Sequence, residues 1–178
     1  MARFIDDDTF GSYFESFEHS AWRLETRSGY ASDRIGKKYR SFLETGTVPD
    51  DSQRPWCANV RTQTARGKRI ERVRVVDTPP TPEQLFLLAS AAGNNEAGED
   101  IRNLRRADAE RLRLPSVDFW LFDARRALVL HFDVDDEYLG AELVEDPDRI
   151  VRFCQIREAA WHYAIKRDEF AAQVASTV

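Results

Sequence analysis

The sequence predicts an α+β protein: a single antiparallel sheet of about five or six strands, helices packed on one face of it, and a long C-terminal helix. Three observations carry this. Six segments read as strands, the clearest of them alternating apolar and polar residues with period two: 21–27, 70–76, 100–104, 117–122, 127–133 and 138–144. The last three are separated only by Asp123-Ala-Arg-Arg126 and Asp133-Val-Asp-Asp-Glu137, which are hairpin-length turns. Strands outnumber any strand–helix–strand alternation, which argues for antiparallel rather than parallel pairing.

Taken in order, Phe10, Tyr13, Phe14 and Phe17 have helical spacing, with Asp8 or Thr9 near the cap. In 21–27, Trp22, Leu24 and Thr26 alternate with Arg23, Glu25 and Arg27. Ser32 caps a helix whose stripe is Ile35, Tyr39, Phe42 and Leu43, and Gly46 ends it. Beyond a turn-rich link at 50–55, a helix carries Trp56, Val60 and Thr64 and stops at Gly67. Val73 and Val75 then alternate with Arg72 and Arg74. Thr81-Pro-Glu-Gln84 is a capping box with proline at the first helical position, starting a helix through Leu85, Leu88, Ala89 and Ala92 that stops at Gly93. Asp146-Pro147 opens the final helix, striped by Ile150, Phe153, Cys154, Trp161, Ala164 and Ile165.

The 178 residues predict one domain, 1–178. They carry 26 basic and 31 acidic side chains, a net charge of −5. That charge excludes a protein that coats nucleic acid with its whole surface. It is an average over blocks, because residues 61–74 sum to +5 whereas 133–148 hold eight acids and no base. No apolar signal region follows the N-terminus, and the longest apolar run, near Leu85–Ala92, is too short for a membrane span. A cytoplasmic protein with no membrane partner is expected. Cys57 and Cys154 lie 97 residues apart, outside any metal or redox motif, and read as reduced thiols.

Several chemistries fail on their spacing. Gly93-Asn-Asn-Glu-Ala-Gly98 has the glycines of a phosphate loop, but Glu99-Asp100 stand where Lys and Ser/Thr belong. The 133–144 segment imitates a calcium loop, yet Tyr138 replaces its turn glycine and Val144 its bidentate glutamate. His19, His131 and His162 lack ligand spacing, and neither H-E-x-x-H nor G-x-S-x-G occurs. No cofactor, metal or catalytic residue is expected from motifs.

Three constellations survive. If Trp22, Leu24, Val73, Val75, Leu139 and Leu143 face the helices, the other sheet face gathers Arg23, Glu25, Arg72, Arg74, Tyr138 and Glu142, with Trp120 and His131 from the middle strands. Arginine offers paired donors to carboxylate or phosphate and tryptophan offers a stacking surface, so this face can hold a small anionic or aromatic ligand. The competing reading is a solvated face laced with cross-strand ion pairs. The run Arg61, Arg66, Lys68, Arg69, Arg72, Arg74 reads either as a phosphate-backbone patch or as cations at a helix C-terminus. Arg157 projects from the final helix's apolar stripe, and so predicts either a structural ion pair or an interface anchor.

The strings Trp22-Arg-Leu-Glu-Thr26, Gly98-Glu-Asp-Ile-Arg102, Leu114-Pro-x-x-Asp118-Phe-Trp-Leu-Phe-Asp123 and Gly140-Ala-Glu-Leu-Val-x-Asp-Pro147 span nearly the whole chain. The chain resembles an uncharacterised actinomycete, Streptomyces-type family of small cytosolic proteins often encoded beside helix-turn-helix regulators. The resemblance implies a regulatory setting and a helix-turn-helix protein partner, and it transfers no catalytic residues. The expected function is therefore a non-enzymatic interaction protein that modulates such a regulator, with a small ligand as its signal. One alternative is a small enzyme or toxin-like nuclease using His131, Glu142 and Arg74. The other is nucleic-acid binding through 61–74.

Overall fold

The computed structural model describes residues 4–176. Eight strands form one sheet: β1 (Phe4–Ile5), β2 (Ser20–Glu25), β3 (Arg69–Val76), β4 (Asp100–Arg105), β5 (Asp118–Phe122), β6 (Arg126–Phe132), β7 (Tyr138–Val144) and β8 (Ile165–Lys166). Their order is β1-β7-β6-β5-β2-β3-β4-β8. Eight helices accompany them among the described residues: α1 (Asp7–Ser16), α2 (Ala31–Arg34), α3 (Lys37–Thr45), α4 (Pro55–Ala65), α5 (Pro82–Ala97), α6 (Arg106–Arg111), α7 (Pro147–Tyr163) and α8 (Arg167–Ala175).

The fold is α+β, but the expected antiparallel sheet of five or six strands is overturned. The sheet is mixed: β2 pairs with β3, and β3 with β4, in parallel. The physical reason lies in the connections. Antiparallel neighbours close through a short turn, whereas parallel neighbours need a crossover. Residues between β2 and β3 fold into α2, α3 and α4, and those between β3 and β4 into α5. The β5–β6–β7 hairpins are antiparallel as expected. The two added strands, β1 and β8, are two residues each, too short to show a period.

Helices also cover both faces rather than one. Trp22, Leu24, Val73, Val75, Phe119 and Leu121 pack against Ala109 of α6 and Ile150, Phe153, Ile156 and Ala160 of α7. On the other face Ala21, Ile70, Trp120, Phe122, Leu128 and Leu130 meet Phe14 of α1, Cys57 and Val60 of α4 and Ala97 of α5. A sheet covered on both faces buries side chains of both parities, which is why all five residues of β5 are buried.

The predicted caps hold in part: Asp6, not Asp8 or Thr9, caps α1, and Ser32 lies inside α2. Thr81 accepts from the Gln84 N–H and the Gln84 side chain returns a bond, completing the box of α5. That helix runs past Gly93 and ends at Gly98, whose φ of +113° suits glycine. The helix expected from Ser32 breaks at Gly36 into α2 and α3. The long C-terminal helix stops at Tyr163, because Ile165 turns outward to pair with Asn103 at the sheet edge before α8 begins. No helix among the described residues is long and apolar enough to cross a membrane.

One local irregularity has a large consequence. His131 pairs with Gly140, but Phe132 pairs with Tyr138, so Leu139 is an extra residue in β7. A bulge of this kind inverts the facing of everything beyond it. Tyr138 therefore stays on the face of Phe132 while Glu142, opposite Val129, turns to the face of α7.

Candidate functional site

The floor of the site is built by cross-strand neighbours. Arg23 of β2 lies between Arg72 of β3 and Trp120 of β5, and Glu25 lies beside Arg74. Two arginines directly opposite repel one another, so this register requires a nearby counter-charge. Glu25 supplies it two residues further along the same face. Its carboxylate accepts from Arg72 Nη1 at 2.7 Å and from Arg74 Nε, and Arg23 Nη1 stands 3.3 Å away. Burial alone would raise the Glu25 carboxyl, but the charges of Arg74, Arg23 and Arg72 hold it well below the ordinary carboxylate range.

Glu99, just after the glycine that ends α5, closes the second side. It accepts from Arg72 Nε at 2.8 Å and Nη2 at 2.7 Å, from Trp56 Nε1 at 2.8 Å, and from Asn94 Nδ2 at 2.6 Å. Burial would lower the Arg72 guanidinium, but Glu99 and Glu25 push it up, so it stays charged. Asp118 closes the third side. It accepts from the Thr26 backbone N–H and hydroxyl at 2.8 and 2.7 Å and from the Tyr30 hydroxyl at 2.5 Å. Burial, then Glu25 and Asp118, raise the Tyr30 phenol, which keeps it a neutral donor.

Arg23 is the under-used member. Its buried Nε has no hydrogen-bond partner, and its ion-pair contacts are long, 3.3 Å to Glu25 and 3.9 Å to Asp118. Its guanidinium lies 5.6 Å from the Trp120 ring centre and 6.0 Å from that of Tyr30, and its side chain is 16% exposed. Above it opens a cleft of about 990 Å³. Six cations line this cleft, Arg23, Lys37, Lys38, Arg54, Arg72 and Arg74, against three acids, Glu25, Asp33 and Asp51. Lys38 and Arg54 share Asp51. Asp33 is raised above the ordinary range by burial and by Glu25, with Arg74, Arg23 and Arg34 opposing.

Six of the sequence-derived residues thus line the cleft: Arg23, Glu25, Arg72, Arg74, Trp120 and Tyr138. His131 and Glu142 do not join them. They bond to each other at 3.0 Å on the opposite face, where Arg149 Nη1 of α7 donates to Glu142 at 2.8 Å. Leu128 and Leu130 of β6 turn toward the cleft face, so Val129 and His131 turn toward α7, and Glu142, paired with Val129, follows them. Arg157 lies on α7 beside the buried stripe rather than in it, half-buried and paired with exposed Glu158 at 2.9 Å. The basic run divides: Arg72 and Arg74 enter the cleft, Lys68 donates to the Phe17 carbonyl, and Arg69 pairs with Glu71 at 3.4 Å. The segment that imitates a calcium loop is a hairpin whose Asp136 is held by Arg27 and Arg34.

Sequence reasoning missed Trp56, Asn94, Glu99 and Asp33 as members of the site. Glu99 is 27 positions from the Arg72 it binds, and no local period connects them.

Comparison with known proteins agrees with the fold. The pattern of a family described as a domain of unknown function, DUF6879, matches residues 8–172. No curated protein sequence matches the chain. Among solved structures, NucT from Helicobacter pylori is similar in fold, with a TM-score of 0.51 over 89% of this chain and 91% of that one, at 8% sequence identity.

Proposed function

The chain belongs to the DUF6879 family, and from that premise we propose that it is a ligand-binding interaction module: the cleft takes a small organic anion, and its occupancy is passed to a protein partner. The carrying observation is Arg23, a guanidinium with spare donors at the floor of a cleft whose lining cations outnumber its acids. A volume of about 990 Å³ lies within the range of small-molecule sites. The segment α2–α3 supports the second half. It contributes Asp33, Lys37, Lys38 and Tyr39 to the cleft, while Ile35 and Leu43 on it are 77% and 57% exposed. A ligand that shifts this segment would therefore reposition an outward apolar surface. The resemblance to a family encoded beside helix-turn-helix regulators makes such a regulator the partner to test first.

The nuclease alternative named His131, Glu142 and Arg74, and these lie on two faces of the sheet. The likeness to NucT is one of fold.

The test is thermal unfolding of the purified protein with the small-molecule fraction of a bacterial lysate, split by anion exchange. The reading predicts that an anionic fraction raises Tm in the parent and fails to do so in Arg23→Met. If no anionic fraction shifts Tm, the reading is wrong.

A further inference from the structure

We infer that the cleft recognises a ligand combining one aromatic ring with one oxyanion, carboxylate or phosphate. This rests on the anion-binding reading above and narrows it.

The oxyanion requirement comes from where donors remain unused. Arg72 gives Nε, Nη1 and Nη2 to Glu99 and Glu25, and Arg74 gives Nε to Glu25 and Nη1 to the Leu87 carbonyl. Arg23 is the least engaged of the three, with its Nε unpartnered and its carboxylate contacts at 3.3 and 3.9 Å, and it lies on the aromatic floor. A planar guanidinium with free N–H groups selects a carboxylate or phosphate oxygen over a halide or a neutral polar group.

The ring requirement comes from the walls. Phe14 stands edge-to-face to Trp56 and Trp120, which are tilted to each other, with centroids 4.9–5.8 Å apart. Tyr39 and Phe86 form a second cluster, 5.4 Å apart. Both clusters line the same cleft, and most of its lining is apolar. Trp56 and Phe10 are only half-buried, so ring surface there is open to an occupant. Aromatic lining of this kind suits a flat ring, which gains contact at little conformational cost.

The same cleft limits how much negative charge can enter. Glu25, Asp33 and Asp51 line it with the cations. Each further negative charge is opposed by these carboxylates, so a triphosphate is opposed more than a single oxyanion.

Calorimetry with defined probes separates the cases. The ring-plus-oxyanion probes are indole-3-acetate and adenosine 5′-monophosphate; the parts are indole, adenosine, acetate and inorganic phosphate; ATP and citrate complete the set. We expect indole-3-acetate or adenosine 5′-monophosphate to bind at least tenfold more tightly than each of its parts, and more tightly than ATP. The choice between these two tells carboxylate from phosphate. That affinity should fall at least tenfold in Arg23→Met, fall less in Arg23→Lys, and respond to Trp56→Leu, with the fold of each variant checked by circular dichroism. Citrate binding as tightly as either ring compound overturns this inference and leaves the anion-cleft reading standing, whereas affinity indifferent to Arg23→Met overturns both. Failure of every anion to bind the parent at millimolar concentration overturns both.

Discussion

Replacing Glu25 with Gln keeps the side chain's shape and removes the charge on which three arginines depend. Arg72 would retain both bonds to Glu99, and Arg23 would retain its distant contact with Asp118. Arg74 would retain only the Leu87 carbonyl, leaving a buried guanidinium with no carboxylate among the partners described here. Breaking one side of a buried pair costs about 3–5 kcal/mol, because the remaining charge stays desolvated. In a protein of this size that corresponds to a Tm lower by about 6–20 °C. Urea unfolding followed by tryptophan fluorescence reads this directly, since Trp56 and Trp120 line the cleft. A second substitution, Arg74→Met, should return part of the loss in Glu25→Gln while destabilising the parent. A Glu25→Gln protein within about 1 kcal/mol of the parent, the level of an exposed ion pair, would refute the account of the floor.

Three further outcomes follow from the same geometry. The Glu25 carboxyl sits below its ordinary value when folded, so its stabilisation is complete above about pH 4.5 and declines as pH falls below that; an acid titration of stability should be flatter in Glu25→Gln. The Asp33 carboxyl sits above its ordinary value, so the folded state holds its proton more tightly and stability falls as pH rises through that range. Asp33→Asn should accordingly raise Tm at pH 7 and tighten anion binding, as measured by thermal unfolding and calorimetry. Gly98→Ala would place a Cβ 2.9 Å from Thr64 Oγ1 at a φ of +113°, and denaturant unfolding should register a loss of about 1–3 kcal/mol.

The part of the site that strand parity governs was legible. Alternation within 21–27 and 70–76 puts Arg23, Glu25, Arg72 and Arg74 on one face, and alternation within 117–122 adds Trp120. Parity failed for His131 and Glu142, because Leu128 and Leu130 pack on the cleft face instead of with Trp22, and the Leu139 bulge separates Glu142 from Tyr138. The mark of the bulge in the segment is Gly140, a glycine inside the strand at a φ of +142°. The parallel core was legible in principle: a strand, three helices, a strand, a helix and a strand stand in order from β2 to β4, but the hairpins downstream outweighed them. The counter-charges were not legible. Glu99 and Asp118 reach their partners 27 and 88–92 positions away, through contacts that only the folded sheet creates.

The most direct test of the central claim is a crystal structure of the protein with the tighter of indole-3-acetate and adenosine 5′-monophosphate. The account predicts the oxyanion within about 2.7–3.2 Å of an Arg23 Nη atom, with the ring against Trp56 in the cleft. A ligand seated outside the cleft, or an oxyanion held by the surface cations Arg66 and Arg69 with Arg23 untouched, would contradict it.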